Sequence, residues 1–182
     1  GQLTTYFADR GTIRFATSAG TAGDWELSAT VVLAGDENTD HLSGPALSSI
    51  DEHIVLFYDA RLGEDGLASI GLSHLGDDGA FRFTGETALA PDDVNSSYED
   101  PFVINENGLL RMWFSHWNGD KWGISYAEGF DGANWSEPTQ VVSMTNGHVA
   151  APVISYVNGR YLLWATMSED EQSWSYATAW SY

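Results

Sequence analysis

One short motif recurs along this chain and constrains its fold more than any other feature. Each copy joins a proline motif to a stretch of apolar residues that predicts a buried strand. The copies are Gly44-Pro45-Ala46-Leu47 with Ile54–Tyr58, Asp100-Pro101-Phe102-Val103-Ile104 with Leu110–Ser115, and Ala151-Pro152-Val153-Ile154 with Tyr161–Ala165. The aligned prolines are 56 and 51 residues apart. A repeat of roughly 40–50 residues built from short strands is typical of β-propeller blades.

The copy in residues 98–143 shows a complete blade of four antiparallel strands. Strands are predicted near residues 102–105, 109–115, 122–127 and 139–143. The Asn107-Gly108 pair between the first two is a strong hairpin signal, because glycine tolerates positive φ. Residues 41–91 repeat this plan, and residues 1–34 and 148–182 predict partial blades. We therefore predict one all-β domain over residues 1–182, part of a five-bladed ring or of a ring that another chain completes.

Composition limits the partners that such a chain can have. Its 26 acidic residues against seven basic ones give a formal net charge of −19, which repels nucleic acids and anionic membranes. An acidic surface with almost no lysine is typical of salt-adapted organisms, and an ordinary acidic secreted protein is the alternative. Cysteine is absent, which excludes disulfides and a cysteine nucleophile. The sequence also contains no apolar run of about 18 residues that could span a membrane.

Residues 98–165 resemble the five-bladed propeller glycoside hydrolases, namely the arabinanase-like family 43 and the related invertase and levanase group. The resemblance is carried by Asp100-Pro101, Asn107-Gly108, Met112–Ser115, Ser125-Tyr126-Ala127 and Asp131-Gly132 with Trp135. The turn at Asp131 is also similar to the Asp-box of six-bladed sialidases, although its spacing differs. The resemblance implies a glycan-binding channel mouth lined by carboxylates at the starts of the innermost strands. Glycoside hydrolysis needs one carboxyl group that donates a proton and another that stays ionised.

Two adjacent carboxylates match the catalytic positions that the resemblance implies. Asp100 precedes Pro101 and matches the carboxylate that orients and tunes the site, and Glu99, two residues before Pro101, alternatively matches the general acid. The neighbouring copies carry Ser43-Gly44 and Ala150-Ala151 at these positions. The resemblance implies three catalytic carboxylates: a base or nucleophile, one that orients and tunes, and a general acid. The chain itself does not supply all three, so the remaining carboxylates would have to come from elsewhere.

Further candidates are expected near the mouth because the second strand of a blade returns to the end where the first begins. Asp59 and His116 follow second strands and are expected to contact sugar hydroxyl groups, although both residue types are also common in solvated loops. His41 and His148 each stand four residues before a motif proline and are expected to line an entrance or to be structural loop residues. Trp117, which lies beyond the second strand beside Asn118, is the tryptophan that we expect to be exposed and to bind a sugar ring. Most of the others should pack between blades: Trp113, Trp122, Trp135, Trp164 and Trp174.

No cofactor is expected, although acidic pairs such as Asp36-Glu37, Asp77-Asp78 and Asp92-Asp93 could bind Ca²⁺. Two functions follow from these observations. The first is a secreted propeller of the family 43 type that hydrolyses or binds polysaccharide, with carbohydrate as its partner. The alternative is a non-catalytic module of a virion or cell-surface attachment protein. Both predict an extracellular or surface-exposed location, and self-association could complete the ring.

Overall fold

The computed structural model describes residues 2–20, 24–63 and 65–180, and the regular structure within these ranges is entirely β-strand. The strands are β1 (Leu3–Asp9), β2 (Thr12–Ser18), β3 (Glu26–Ala34), β4 (His41–Ile50), β5 (His53–Arg61), β6 (Ser69–His74), β7 (Thr87–Leu89), β8 (Ser97–Glu106), β9 (Leu109–Trp117), β10 (Trp122–Gly129), β11 (Thr139–Val142), β12 (His148–Val157), β13 (Arg160–Ser168) and β14 (Ser175–Trp180). No helix that could span a membrane is found among the described residues.

The described strands form four antiparallel sheets arranged as propeller blades. Their strand orders are β1-β2-β3, β4-β5-β6-β7, β8-β9-β10-β11 and β12-β13-β14. The all-β propeller fold predicted from the sequence is therefore confirmed. The four sheets do not close into a ring, so the first and fourth sheets each have one face that no other described sheet covers.

The repeated proline motif builds a bulge in the first strand of the last three sheets. In β8 the pairing with β9 shifts register between Glu99 and Phe102, and β4 and β12 shift at the equivalent positions. The residue before each proline has positive φ: 53° at Gly44, 51° at Asp100 and 52° at Ala151. A bulge accommodates a proline that cannot donate to the ladder. Consequently β8 continues on both sides of Pro101 and begins at Ser97, five residues before the predicted start.

Apolar side chains from neighbouring sheets fill the spaces between the blades. Between the second and third sheets, Val55, Phe57 and Leu72 pack against Met112 and Phe114. Similar clusters join the first sheet to the second and the third to the fourth. Because successive side chains of a strand point to opposite faces, each central strand packs against both of its neighbours.

The outward face of the fourth sheet repeats an apolar surface that the earlier sheets bury. Phe57, Trp113 and Trp164 occupy the same register position in β5, β9 and β13. Their exposed fractions are 0%, 8% and 44%. The third sheet covers Phe57 and the fourth covers Trp113, whereas no described residue covers Trp164 to the same extent. The prediction that another chain completes the ring concerns this face.

The first sheet is oriented by its hairpin. Arg10 and Gly11 form the turn between β1 and β2 with positive φ, and the N–H of Leu42 donates a 2.9 Å hydrogen bond to the carbonyl oxygen of Gly11. The turn therefore lies beside the start of β4, and β1 occupies the place of a second strand. We call this end of the sheets, where β4, β8 and β12 begin, the mouth.

Candidate functional site

Glu99 lies at the mouth and is held by groups from two sheets. Its Oε2 accepts a 3.0 Å hydrogen bond from Nη2 of Arg61 on β5, and its Oε1 accepts a 2.8 Å bond from Oγ of Ser97. Ser97 in turn accepts a 2.7 Å bond from the N–H of Ala68. The Glu99 side chain remains 17% exposed. Both of its oxygens accept hydrogen bonds, so the Glu99 carboxyl group is held in one orientation.

Asp59 lies beneath Glu99 and is only 1% exposed. Its Oδ2 accepts a 2.9 Å hydrogen bond from Oγ of Ser43 and lies 3.5 Å from Nη2 of Arg61. Burial raises the pKa of Asp59 well above its ordinary value, and the nearby carboxylates of Asp100 and Glu99 raise it further. The sequence analysis predicted that Asp59 contacts sugar hydroxyl groups. Its burial instead points to a role in positioning the residues above it.

Asp100 occupies the bulge of β8, and two sheets determine its position. Its backbone N–H donates a 2.7 Å hydrogen bond to Oδ1 of Asp59, and its Oδ2 accepts a 2.9 Å bond from Oγ of Ser115. Burial raises the pKa of Asp100, and the negative charge of Glu99 acts in the same direction.

The carboxyl groups of Glu99 and Asp100 line a cavity of about 260 Å³. We call this space the mouth cavity; its other lining residues are Trp122, Ala150, Ala151, Thr166 and Trp174. Asp100 also lines a cavity of about 380 Å³ that follows the proline motifs of β4, β8 and β12 along the channel. Asp100 therefore stands where the channel meets the mouth cavity, beside two indole rings.

Trp117 does not line the mouth cavity, although the sequence analysis singled it out as the exposed tryptophan. Its ring is half-buried and lies against Trp122, with centroids 5.5 Å apart, and against the His148 ring at 6.2 Å. His148 accepts a hydrogen bond at 3.3 Å from the N–H of Trp122 and lies 3.3 Å from Oε1 of Glu171. Trp117 and His148 thus hold Trp122 in place without lining the mouth cavity themselves.

His116 and His41 lie apart from the mouth cavity. The Nδ1 atom of His116 is 3.0 Å from Oγ of Ser125, its ring packs on Tyr98, and burial lowers its pKa. It lines a different cleft, between the second and third sheets. His41 is half-buried at the register position of His148 and packs near Gly11 of the first sheet.

The sequence analysis missed Arg61 and the serines that hold the carboxylates. Arg61 could have been found, because it stands two residues after Asp59 and strand alternation places both on one face. Trp122 and Trp174 were assigned to blade packing. Both precede or open the third strand of a blade, at the end where the carboxylates lie, and this position was the available signal.

The described residues contain no group of three or more histidine or acidic side chains that could hold a metal ion. The acidic pairs that could bind Ca²⁺ include Asp36, whose Oδ1 accepts hydrogen bonds from the N–H groups of Asn38 and Thr39. Asp93 likewise accepts a bond from the N–H of Asn95. These contacts cap tight turns, a common structural role for aspartate.

Comparison with known proteins identifies the fold. No family profile matches the sequence, and no curated protein matches it. A solved structure described as a glycoside hydrolase matches with a TM-score of 0.76 and 15% identity, covering 94% of this chain and 57% of its own. An α-L-arabinanase from Penicillium chrysogenum in complex with arabinobiose matches with a TM-score of 0.69 and 16% identity, covering 99% and 58%.

A GH93 α-L-arabinofuranosidase of Fusarium graminearum, also in complex with arabinobiose, matches with a TM-score of 0.66 and 12% identity over 93% of this chain and 54% of its own. The chain thus spans a little over half the length of these structures. At such low identity the likeness concerns the fold alone. The chain has the fold of the five-bladed propeller glycoside hydrolases, as its sequence resemblance indicated.

Proposed function

We propose that this chain recognises a polysaccharide at the mouth cavity, as part of a propeller of the glycoside hydrolase type. The observation that carries the proposal is the pairing of carboxyl groups with indole rings around one cavity. Sugars present flat apolar faces and a rim of hydroxyl groups. The walls of Trp122 and Trp174 suit the faces, and the oxygens of Glu99 and Asp100 suit the hydroxyl groups.

Electrostatics favour a neutral glycan over an acidic one. The formal charge of the chain is −19, and at the mouth Glu99 and buried Asp59 both contact the guanidinium of Arg61, with the Asp100 carboxyl group close by. A uronic acid would bring a further carboxylate into this negative region, at an unfavourable electrostatic cost. Arabinan, xylan, fructan and mannan are therefore better candidates than pectic acid.

Binding is tested by titrating the protein with this panel of neutral polysaccharides and with polygalacturonate. We expect a neutral glycan to bind, and Trp122→Ala to weaken its affinity at least tenfold. Trp25→Ala is the matched control, because Trp25 is an exposed indole of the first sheet that does not line the mouth cavity. Failure of every neutral glycan to bind would reject the proposal.

Hydrolysis is the activity that the same site would support. The raised pKa of Asp100 suits it to hold a proton, and Glu99, held by Arg61 and Ser97, lines the same cavity beside it. Release of reducing ends from the bound glycan, abolished by both Glu99→Gln and Asp100→Asn without loss of binding, would support catalysis.

A specific observation favours the non-catalytic alternative. The positions equivalent to Glu99 are Ser43 and Ala150, and those equivalent to Asp100 are Gly44 and Ala151. Only the third sheet brings carboxylates to these positions of the described chain. Glycan binding without any release of reducing ends would identify a binding module. That such a module belongs to a virion or a cell surface remains a prediction.

A further inference from the structure

A second cavity adjoins the mouth cavity and shares one wall with it. This outer cavity has a volume of about 390 Å³ and is lined by Met144, Met167, Ser168, Glu169, Asp170, Ser173, Trp174 and Ser175. Trp174 also lines the mouth cavity. One indole, 41% exposed, therefore lies between two concave spaces at the same end of the sheets.

The two tryptophans that wall the mouth cavity occupy equivalent places in consecutive sheets. Trp122 opens β10 opposite Trp117. Ser175 lies opposite Met167 in the fourth sheet, so Trp174 falls opposite Ser168, the register equivalent of Trp117. The third and fourth sheets thus each present one indole at the mouth, whereas the second sheet has Ala68 at this position, opposite Arg61. Two indoles at equivalent places suit a ligand with successive similar units.

The loop that carries Trp174 is held in place by its own polar groups. Oδ1 of Asp170 accepts hydrogen bonds of 3.0 and 3.1 Å from the N–H groups of Gln172 and Ser173. The indole N–H of Trp174 donates a 3.1 Å bond to the carbonyl oxygen of Glu171, and the Glu171 carboxylate lies against His148. The ring is therefore fixed before a ligand arrives, which lowers the entropic cost of binding.

The volumes leave space for more than one sugar residue. The mouth cavity, at about 260 Å³, is smaller than the roughly 300–1,000 Å³ typical of sites for drug-sized ligands. From the carboxylates a ligand can extend along the channel past Pro101 or across Trp174 into the outer cavity. Of these two neighbouring cavities, the outer one shares an indole wall with the mouth cavity.

We infer that the glycan occupies both cavities at once, with successive sugar residues on either side of Trp174. The ligand is therefore an oligosaccharide stretch of a neutral polysaccharide, and a monosaccharide fills only part of the site. This inference rests on the proposed function and adds to it the length and path of the bound chain.

The test measures affinity against chain length, with arabinose and mannose and their oligomers of two to four residues as probes. Affinity is expected to rise at least tenfold between the monosaccharide and the trisaccharide of one series, which corresponds to about 1.4 kcal/mol. Ser173 is exposed and lines only the outer cavity. Ser173→Trp should fill that cavity and abolish the rise in affinity with chain length.

Ser175→Trp provides a second obstruction of the same cavity, should Ser173→Trp fail to fold. Ala133→Trp is the matched control, because Ala133 is exposed in the turn between β10 and β11 at the opposite end of the sheets. Affinity that is independent of length, or a rise that survives both obstructions, would overturn the inference while the proposed function stands. Absence of binding by every monosaccharide and oligomer would overturn both.

Discussion

The backbone N–H of Asp100 donates a 2.7 Å hydrogen bond to Oδ1 of Asp59, so a buried carboxylate of the second sheet fixes the bulge of the third. The next pair of sheets repeats the contact with a hydroxyl group. There the N–H of Ala151 donates a 2.8 Å bond to Oγ of Ser115, and Ser115 is the register equivalent of Asp59. The second and third sheets thus each position the residue with positive φ in the sheet that follows.

Replacing Asp59 by alanine should destabilise the protein. The change leaves the N–H of Asp100 and the hydroxyl of Ser43 without their acceptor, although the ion pair between Arg61 and Glu99 remains. An unsatisfied buried polar group costs about 1–3 kcal/mol, and we expect a loss of that size in the free energy of unfolding measured with urea. Asp78→Ala is the control: Asp78 is exposed and pairs with Arg82 at the surface. An equal loss in both variants would contradict the assigned role.

The pKa of Asp59 predicts a definite pH dependence of stability. Its pKa is raised in the folded state above the value of 3.8 expected for an ordinary aspartate. The stabilising contribution of such a group is fully present below the unfolded pKa and is lost as pH rises through the folded pKa. The free energy of unfolding of the wild type, relative to Asp59→Asn, should therefore increase as pH falls from neutrality towards 3.8.

Unfolding of both proteins across this range checks the sign, because charges common to the two cancel in the difference. A difference that is constant with pH, or one that decreases towards acid, would show that folding does not raise the pKa of Asp59.

Gly44→Ala should change the stability of the protein much more than Ala151→Gly. Both have φ near 50°, where a side chain costs roughly 1–2 kcal/mol. A Cβ atom at Gly44 would also lie 2.7 Å from both carboxylate oxygens of Asp59. Gly44→Ala should therefore destabilise by more than this strain alone. Ala151→Gly should change stability by less than about 1 kcal/mol, and thermal unfolding of the two variants measures the contrast.

Ser115→Ala should weaken glycan binding as well as stability. Oγ of Ser115 donates to the Asp100 carboxylate and accepts from the N–H of Ala151, so both walls of the mouth cavity lose a constraint. Ser125→Ala removes a buried hydroxyl that lies 3.0 Å from Nδ1 of His116, apart from the mouth cavity, and it should spare the glycan affinity. Unfolding and titration with the bound glycan, carried out on both variants, distinguish a local effect from a general one.

The fold was predictable because the motif is repeated and its turns have strong local preferences. Pairs such as Asn107-Gly108 adopt positive φ readily, and continuous apolar runs indicate central strands. The start of β8 was not predictable from propensity, because pairing resumes beyond the bulge at Asp100-Pro101. Proline normally interrupts a ladder, and only the three-dimensional structure shows that the bulge accommodates it.

The candidate site was predictable in part. The proline motif singled out Glu99 and Asp100, and the structure places both beside one cavity. The partners of these residues come from distant sequence positions: Arg61 precedes Glu99 by 38 residues. The sequence analysis chose Trp117 as the exposed tryptophan, but exposure depends on whether another ring covers the indole. His148 lies against Trp117, and no sequence pattern showed this contact.

The bulge before the proline of β4, β8 and β12 accepts different residues at the same backbone geometry. The residue before the proline has nearly the same φ whether it is glycine, aspartate or alanine. In the third and fourth sheets this residue is bound to the preceding sheet through its backbone N–H and not through its side chain. A single codon change could therefore place a negative charge at Ala151, whereas the Asp59 carboxylate leaves no room for a side chain at Gly44. By the same logic, a designer could install a second carboxylate in the mouth cavity through Ala151→Asp, without rebuilding the scaffold that presents it.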